Sequence, residues 1–396
     1  MYFGYLKDEN NEFILDIDGY PTIDNPGRFS FVEWDNWKEL RLNNVYANSD
    51  ESATFECGSI LDIMEETYTE EYYNGNARTV GEITDAILAF EGYDNSTIEW
   101  SSDGIKKPTY KDNSLLPYEQ WEDTSYRDYQ INTVLPNATC KNIIQLLAFS
   151  VGATILIKDN GKIKFANLDI LKPETFTNHF SWTYADFENI PAAEQLESVE
   201  RLKDISLPKY MSYLDTTDGV KEIATVDISS INSEITYSEC APTGIRMSED
   251  DTSGASVQSS QLFARNGLVR LGGLVAGKPA KVKIFGYPIV TNLVQERDVT
   301  SNTLTLETKL MLMDVSSYNS DGSIKQTEQI KQKYLEWYKK KFKYKITTRG
   351  EPLANAGDYA VIQTQFTQEM PVYILQNHWT FDGAWSGDME VISLGK

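Results

Sequence analysis

The chain has 396 residues, 41% of them hydrophobic and 24% charged, which at ~150 residues per domain predicts two or three domains. Such usage excludes a wholly disordered, collagen-like or disulfide-scaffold protein. The 36 Lys and Arg stand against 59 Asp and Glu, a net charge of −23, so general binding to phosphate backbones and adhesion to anionic membranes are both disfavoured.

At the start, Tyr2, Phe3, Gly4 and Tyr5 run directly into Lys7, Asp8 and Glu9. With no basic n-region and no apolar h-region there, no secretion signal is expected. Turn signals of the Asx-Gly type recur at Asp18-Gly19, Asn74-Gly75, Asp103-Gly104, Asn160-Gly161, Asp218-Gly219, Asn266-Gly267, Asp321-Gly322 and Asp382-Gly383, so many short strands are expected. Residues 1–75 are read as an N-terminal β domain that can be discontinuous, 76–185 as an α/β domain and 186–396 as C-terminal β-rich domains.

Two helices are predicted in the α/β portion. Thr79 with Glu82 forms a capping box before Ile83, Ile87 and Phe90, and that helix stops near Gly92. The second runs from Thr139 through Ile143, Leu146, Leu147 and Phe149 to Gly152, placed where a left-handed C-terminal residue belongs. Thr79/Thr139, Ile83/Ile143, Ile87/Leu147 and Gly92/Gly152 share one offset. A degenerate repeat and a chance match of two capped amphipathic helices both account for it. The apolar run from Ile143 to Ile157 contains Gln145, Ser150 and Thr154, too short and polar to span a bilayer, and reads as a core helix followed by a strand. Ala153 to Ile157, Asn160-Gly161 and Lys162 to Phe165 then make a hairpin signature.

Further along, Val282 and Ile284 alternate with lysines, and Leu304 and Leu306 with threonines, as half-buried strands should. From Ser248 to Gln261 the chain is almost all polar or small, which predicts a mobile loop. A third helix, near 327–341, places Ile330, Tyr334, Trp337 and Tyr338 on one face and lysines on the other. Its basic end, Lys339 to Lys341 with Lys343 and Lys345, reads as a solvated face complementing the helix C-terminus and an acidic partner surface, in preference to a nucleic-acid patch. The fold class expected is α+β, mostly β: small β-barrel-like domains, an α/β portion with two short helices, and a C-terminal helix packed on strands.

Little in the chain carries chemistry. Cys57, Cys140 and Cys240 are odd in number and far apart, reading as small buried apolar residues. The two histidines, His179 and His378, are read as structural, with no G-x-S-x-G elbow or H-E-x-x-H pair beside them. Gly272 to Lys278 satisfies G-x-x-x-x-G-K, but Pro279 replaces the magnesium-binding hydroxyl and a strand pattern follows, so a phosphate loop is rejected. Glu65, Glu66, Glu70 and Glu71 read as a solvated face, and Asp16, Asp18 and Gly19 approach a calcium loop without completing it. The 23 Tyr and 8 Trp suit sugar platforms and wide protein interfaces alike. No catalytic, cofactor-binding or metal residue is assigned, no cofactor is implied, and no enzyme is expected.

Two stretches carry a resemblance. Thr139 to Leu168, TCKNIIQLLAFSVGATILIKDNGKIKFANL, resembles the helix, Gly, strand, N-G turn, strand unit of tail-tip or baseplate hub proteins of tailed bacteriophages. These are relatives of the N-terminal part of the type VI secretion spike and of the N-terminal region of tail-associated lysins. The last hundred residues resemble the same family more strongly: LEWYKKKFKYKITTRG, then Glu351-Pro352-Leu353, Gly357-Asp358 and PVYILQNHWTFDGAWSGDMEVI. In physical terms, Arg349-Gly350 ends a strand, Pro352 fixes a turn and Gly357-Asp358 reverses the chain before Tyr359 to Thr364. Residues 1–71 depart most from the family pattern. The resemblance implies a homotrimeric ring closing a tail tube, with the distal tail or tail tube protein, the tape-measure protein and a spike or fibre protein as partners. It implies residence in the virion tail tip after assembly in the bacterial cytoplasm, with neither sequence-specific nucleic-acid binding nor stable membrane insertion. The alternative is a cell-wall carbohydrate-binding or peptidoglycan-degrading tail-tip protein.

Overall fold

The computed structural model describes residues 28–30, 39–47, 53–101, 106–107, 109–112, 114–116, 120, 122–158, 161–167, 179–187, 192–195, 204–207, 209–295, 303–305, 312–313, 330–337, 342–349, 354–364, 369–381 and 385–393. Strands dominate, as expected for an α+β chain that is mostly β. Nearest the N-terminus, Arg28–Ser30, Glu39–Ala47 and Ala53–Gly58 form an antiparallel sheet.

The first helix, α1, spans Val80–Phe90. The Thr79 hydroxyl accepts the Glu82 amide at 3.0 Å and the Glu82 carboxylate accepts the Thr79 amide at 2.7 Å, satisfying N–H groups the helix itself leaves open. Gly92, at φ +80, ends it. The second helix, α2, spans Cys140–Ser150, with the Thr139 hydroxyl accepting the Asn142 amide. Gly152, at φ +72, turns the chain into the hairpin Ala153–Ile157 and Ile163–Asn167, whose second strand also pairs in parallel with Ile98–Trp100.

Ile83, Ile87 and Leu88 of α1 and Ile143, Ile144 and Leu147 of α2 share one apolar core, and the helical spacing of these residues is what aims them at it. Ile60, Leu61, Met64 and Tyr68 enter from before α1, and Ile330, Tyr334, Tyr373 and Ile392 from the far end of the chain. Ile330 and Tyr334 lie on the third helix, residues 330–337. Its Tyr334 ring stacks obliquely on Phe149 at 4.9 Å and its Trp337 meets Tyr373 edge-on at 5.8 Å. The opposite face is not simply a row of solvated lysines. Lys331 is 5% exposed and Lys333 donates to Asn167, because a lysine stem packs along apolar surface while its ammonium seeks a polar partner. Lys343 pairs with Glu390, and residues 338–341 lie outside the described residues.

Six strands form the C-terminal sheet, in the order His179–Trp182, Tyr359–Ile362, Met370–Phe381, Trp385–Ser393, Phe342–Thr348, Ala192–Gln195. Period-two alternation makes it serve two cores. Val372, Ile374 and Val391 point to a cluster with Trp182, Ile346 and Ile362, while Tyr373 and Ile392 point to the helical core. Gly357, at φ +98, supplies the reversal before Tyr359–Ile362. Residues 350–353, with the Pro352 turn, lie outside the described residues, as do the turn signals at Asp18, Asp103, Asp321 and Asp382.

Between these parts lies a small curled β unit. The strand Ala280–Gln295 pairs antiparallel with Lys221–Ile228 on one side and Cys240–Met247 on the other, and its far half pairs with Lys209–Leu214. A Cβ at Gly286 would sit 2.6 Å from the Ala241 carbonyl, so only glycine allows that approach. A second sheet, Asn232–Thr236, Asn266–Gly272 and Ser256–Leu262, covers the first. Ile228, Ile235, Val269, Leu271, Val282 and Ile284 fill the space between them.

Two expectations fail here. The 248–261 segment is not a loop throughout: Ser256–Leu262 is a strand paired with Asn266–Gly272. Before it, a turn is held by the Asp251 carboxylate, which accepts from the Lys281 amide at 2.9 Å and the Ser253 hydroxyl at 2.8 Å. Polar composition misleads because most of this strand's side chains are exposed while its backbone pairs with Asn266–Gly272. Likewise Asn266-Gly267 does not make the turn. Phe263 donates its amide to the Asn266 carbonyl, so the hairpin closes earlier and Asn266 opens the next strand. The strand at Leu304 appears as Thr303–Thr305, paired with Asp204–Ser206, while Leu306 lies outside the described residues.

Candidate interaction surface

The helical core and the β unit meet at a buried polar joint centred on Glu71. This carboxylate, in the run expected to be solvated, is 2% exposed, whereas Glu65 and Glu66 are exposed. Arg78 explains the burial: its guanidinium reaches the two carboxylate oxygens at 2.7 and 3.1 Å. The Leu135 amide adds a third donor at 3.3 Å. Arg78 also donates to the Tyr72 and Thr133 carbonyls, and its cation lies 5.7 Å from the Tyr73 ring centre. The guanidinium and the backbone amide together offset the cost of burying this carboxylate.

Tyr73 carries the joint into the β unit. Its hydroxyl lies 2.6 Å from the Ser212 carbonyl and 2.8 Å from Asn132 Oδ1. The Ser212 hydroxyl accepts the Val134 amide at 3.1 Å and lies 2.8 Å from Thr291 Oγ1. The Ala264 amide donates to the Glu71 carbonyl, and Arg265 bridges Glu239 and the Leu135 carbonyl. Tyr73, Val134, Ala264, Leu214 and Ile289 close around it as an apolar cap. The joint locks two regions together. No local pattern flags it, since its donors come from four distant segments.

Beside the joint, Tyr72 turns outward and is 55% exposed. Its hydroxyl accepts from Gln261 at 3.1 Å and its ring leans on Phe263 at 5.0 Å. Gln261 is the rim of a groove of about 590 Å³ across the outer face of the sheet Asn232–Thr236, Asn266–Gly272, Ser256–Leu262. Alternation sends Val269 and Leu271 inward and Leu268 and Arg270 outward, with Leu268 47% exposed. Composition suits sugar platforms and wide protein interfaces alike. Among the described residues Tyr68, Tyr73, Tyr126, Tyr129, Tyr334, Tyr344 and Tyr373 are core residues, while Tyr72 and Tyr213 are exposed.

The residues considered for chemistry lie apart. Both histidines fall in the six-stranded sheet, with His378 exposed and in register with Asp388. Cys140 and Cys240 are buried and free. Burial, then the neighbouring Glu91 and Glu66, pushes the Cys140 thiol far up, and burial pushes the Cys240 thiol up to about 12, so neither supplies a thiolate. The side chain of Cys57, like Asp16 and Asp18, is outside the described residues. Gly272 to Lys278 is the turn between Asn266–Gly272 and Ala280–Gln295, with Gly273 and Gly277 at positive φ and a strand where a phosphate loop needs a helix. Among the described residues no group of three or more His, Cys, Asp and Glu could hold a metal ion, and no helix is long and apolar enough to cross a membrane.

No family model matches the chain, and no curated protein matches it. Among solved structures it is similar to a tail protein from Neisseria meningitidis MC58, at 8% identity and a TM-score of 0.46, covering 93% of this chain and 83% of that one. A 43 kDa tail protein of prophage MuSo2 from Shewanella oneidensis gives 11% identity and a TM-score of 0.40, covering 95% and 87%. Prophage tail protein gp18 from Listeria monocytogenes EGD-e gives 10% identity and a TM-score of 0.38, covering 95% and 82%. These TM-scores are all below 0.5, and the fold assignment stands on the chain's own strand pairing.

Proposed function

We propose that this chain is a virion structural protein of a phage tail, the hub or tip that closes the tail tube and links it to the distal tail, tape-measure and spike or fibre proteins. It acts as a homotrimer, through assembly and not through catalysis. The observation that carries the reading is the agreement between quoted sequence and observed local fold in both stretches that resemble the hub family. Within Thr139 to Leu168, the described residues 139–158 and 161–167 form a capped helix, a left-handed Gly152 and an antiparallel hairpin. The C-terminal stretch forms a helix, the strand Phe342–Thr348, a Gly357 reversal and the paired strands Met370–Phe381 and Trp385–Ser393.

Light scattering of the purified chain across a concentration range, followed by antibody labelling of virions, tests it. A particle of three times 45.0 kDa and label confined to the tail tip are expected. Label on the capsid, or on no virion component, overturns the reading.

A further inference from the structure

We propose that the outer face of the sheet Asn232–Thr236, Asn266–Gly272, Ser256–Leu262 binds a neutral oligosaccharide. The groove there, about 590 Å³, is open and shallow, so a ligand lies across it. Its floor consists of two rungs fixed by strand register. Glu234 and Gln261 flank the exposed Leu268 in one, and Asn232 and Ser259 flank Arg270 in the other. Each rung sets an apolar side chain or a guanidinium between hydrogen-bonding groups, which matches a sugar ring with its C–H groups inside a rim of hydroxyls. Every hydroxyl both donates and accepts, and the rim supplies carboxylate, amide, hydroxyl and guanidinium partners.

Two of these groups are held in place. Asn266, 6% exposed, donates to Glu234 Oε1 at 3.0 Å, and Glu234 lines the groove. Gln261 donates to the Tyr72 hydroxyl, and Tyr72 stands half exposed beyond Gln261 with its ring braced on Phe263. A braced, exposed aromatic beside fixed polar groups is an aromatic platform with one wet end. Charge selects the ligand class: Glu234 and Arg270 cancel within the groove, while the chain as a whole carries −23, which repels polyanions. A protein partner is less well matched, since Leu268 is the one large exposed apolar side chain lining the groove and interface centres are richer in apolar and aromatic area. This inference goes beyond the tail reading and rests on the groove alone.

Titration calorimetry and saturation-transfer NMR on the full chain test it, with chito-, cello-, malto- and manno-oligosaccharides at millimolar concentration as probes. Saturable binding of at least one is expected, weakened about tenfold by Arg270→Ala and by Tyr72→Ala, with circular dichroism unchanged. Absence of saturable binding across the panel overturns the proposal, as does binding that both variants retain. Binding confined to acidic oligosaccharides added as a control overturns the neutral assignment. Sugar binding by a chain that never labels virions would leave this proposal standing and sink the tail reading, so the two failures are distinguishable.

Discussion

In the helical core, Ile60, Ile143, Ile330 and Ile392 belong to one apolar cluster although nearly the whole chain separates the first from the last. In the β unit, Ile228, Ile235, Val269 and Ile284 form a cluster drawn from a single continuous stretch. The first region is apolar through several layers, and a change there touches elements from both ends of the sequence. The second is a thin sandwich in which every other residue faces water, so its outer face can carry Ser, Asn, Gln and Arg without disturbing the packing behind it. One region holds the molecule together; the other has surface to spare for recognition.

Breaking the joint between them is expected to have the largest effect. Glu71→Ala takes the acceptor from the Leu135 amide and leaves the Arg78 cation only the Tyr72 and Thr133 carbonyls, at a cost of about 3–5 kcal/mol. Urea unfolding followed by tyrosine and tryptophan fluorescence should show a lowered midpoint, and hydrogen exchange should rise at 209–214 and 264–265. Unchanged exchange in those segments would show that the two regions are held together elsewhere.

Next comes a contrast of two leucines. Leu147→Ala empties a fully buried site on α2 and should cost about 2–5 kcal/mol, whereas Leu268→Ala on the groove face should stay within about 0.5 kcal/mol. Equal losses in a denaturant titration would erase the distinction between packed core and free face.

The smallest effect expected is on pH dependence, and it belongs to the β unit. Hydrogen bonds from Lys221 and Thr217 hold the Asp215 carboxyl down from the ordinary 3.8 to about 2. Thr225 and Lys283 lower Glu222, and the Lys281 amide is the chief group lowering Asp251. A depressed folded-state pKa means that the unfolded chain binds more protons, so this stabilisation is present above pH 4 and is lost as pH falls toward 2. Thermal midpoints between pH 5 and pH 2 should fall, and less steeply in Asp215→Asn. An identical slope in that variant would remove Asp215 from the account.

How much of this was legible beforehand follows the range of the interactions. The caps at Thr79 and Thr139, the left-handed Gly92 and Gly152, the hairpin through Gly161 and the alternation around Val282 were all readable, because each depends on residues a few positions apart. The strand Ser256–Leu262 was missed, since a pairing exposed on its side-chain faces leaves no apolar alternation to read. Lys331 was misplaced because helical periodicity says where a face points, not how far a long stem lies down along the core.

The sequence by itself determined where the first two helices start and stop, the turns at Gly75, Gly161 and Gly219 and that strands dominate, because those choices are settled by backbone and neighbouring side chains. Only the tertiary structure decided that Glu71 would be buried against Arg78, that Tyr73 would reach Ser212, and that Glu234, Leu268, Gln261 and Arg270 would share one groove. Those outcomes need segments far apart in the chain to arrive at one place, and the free energy of a charge or a hydrogen bond is set by what surrounds it there.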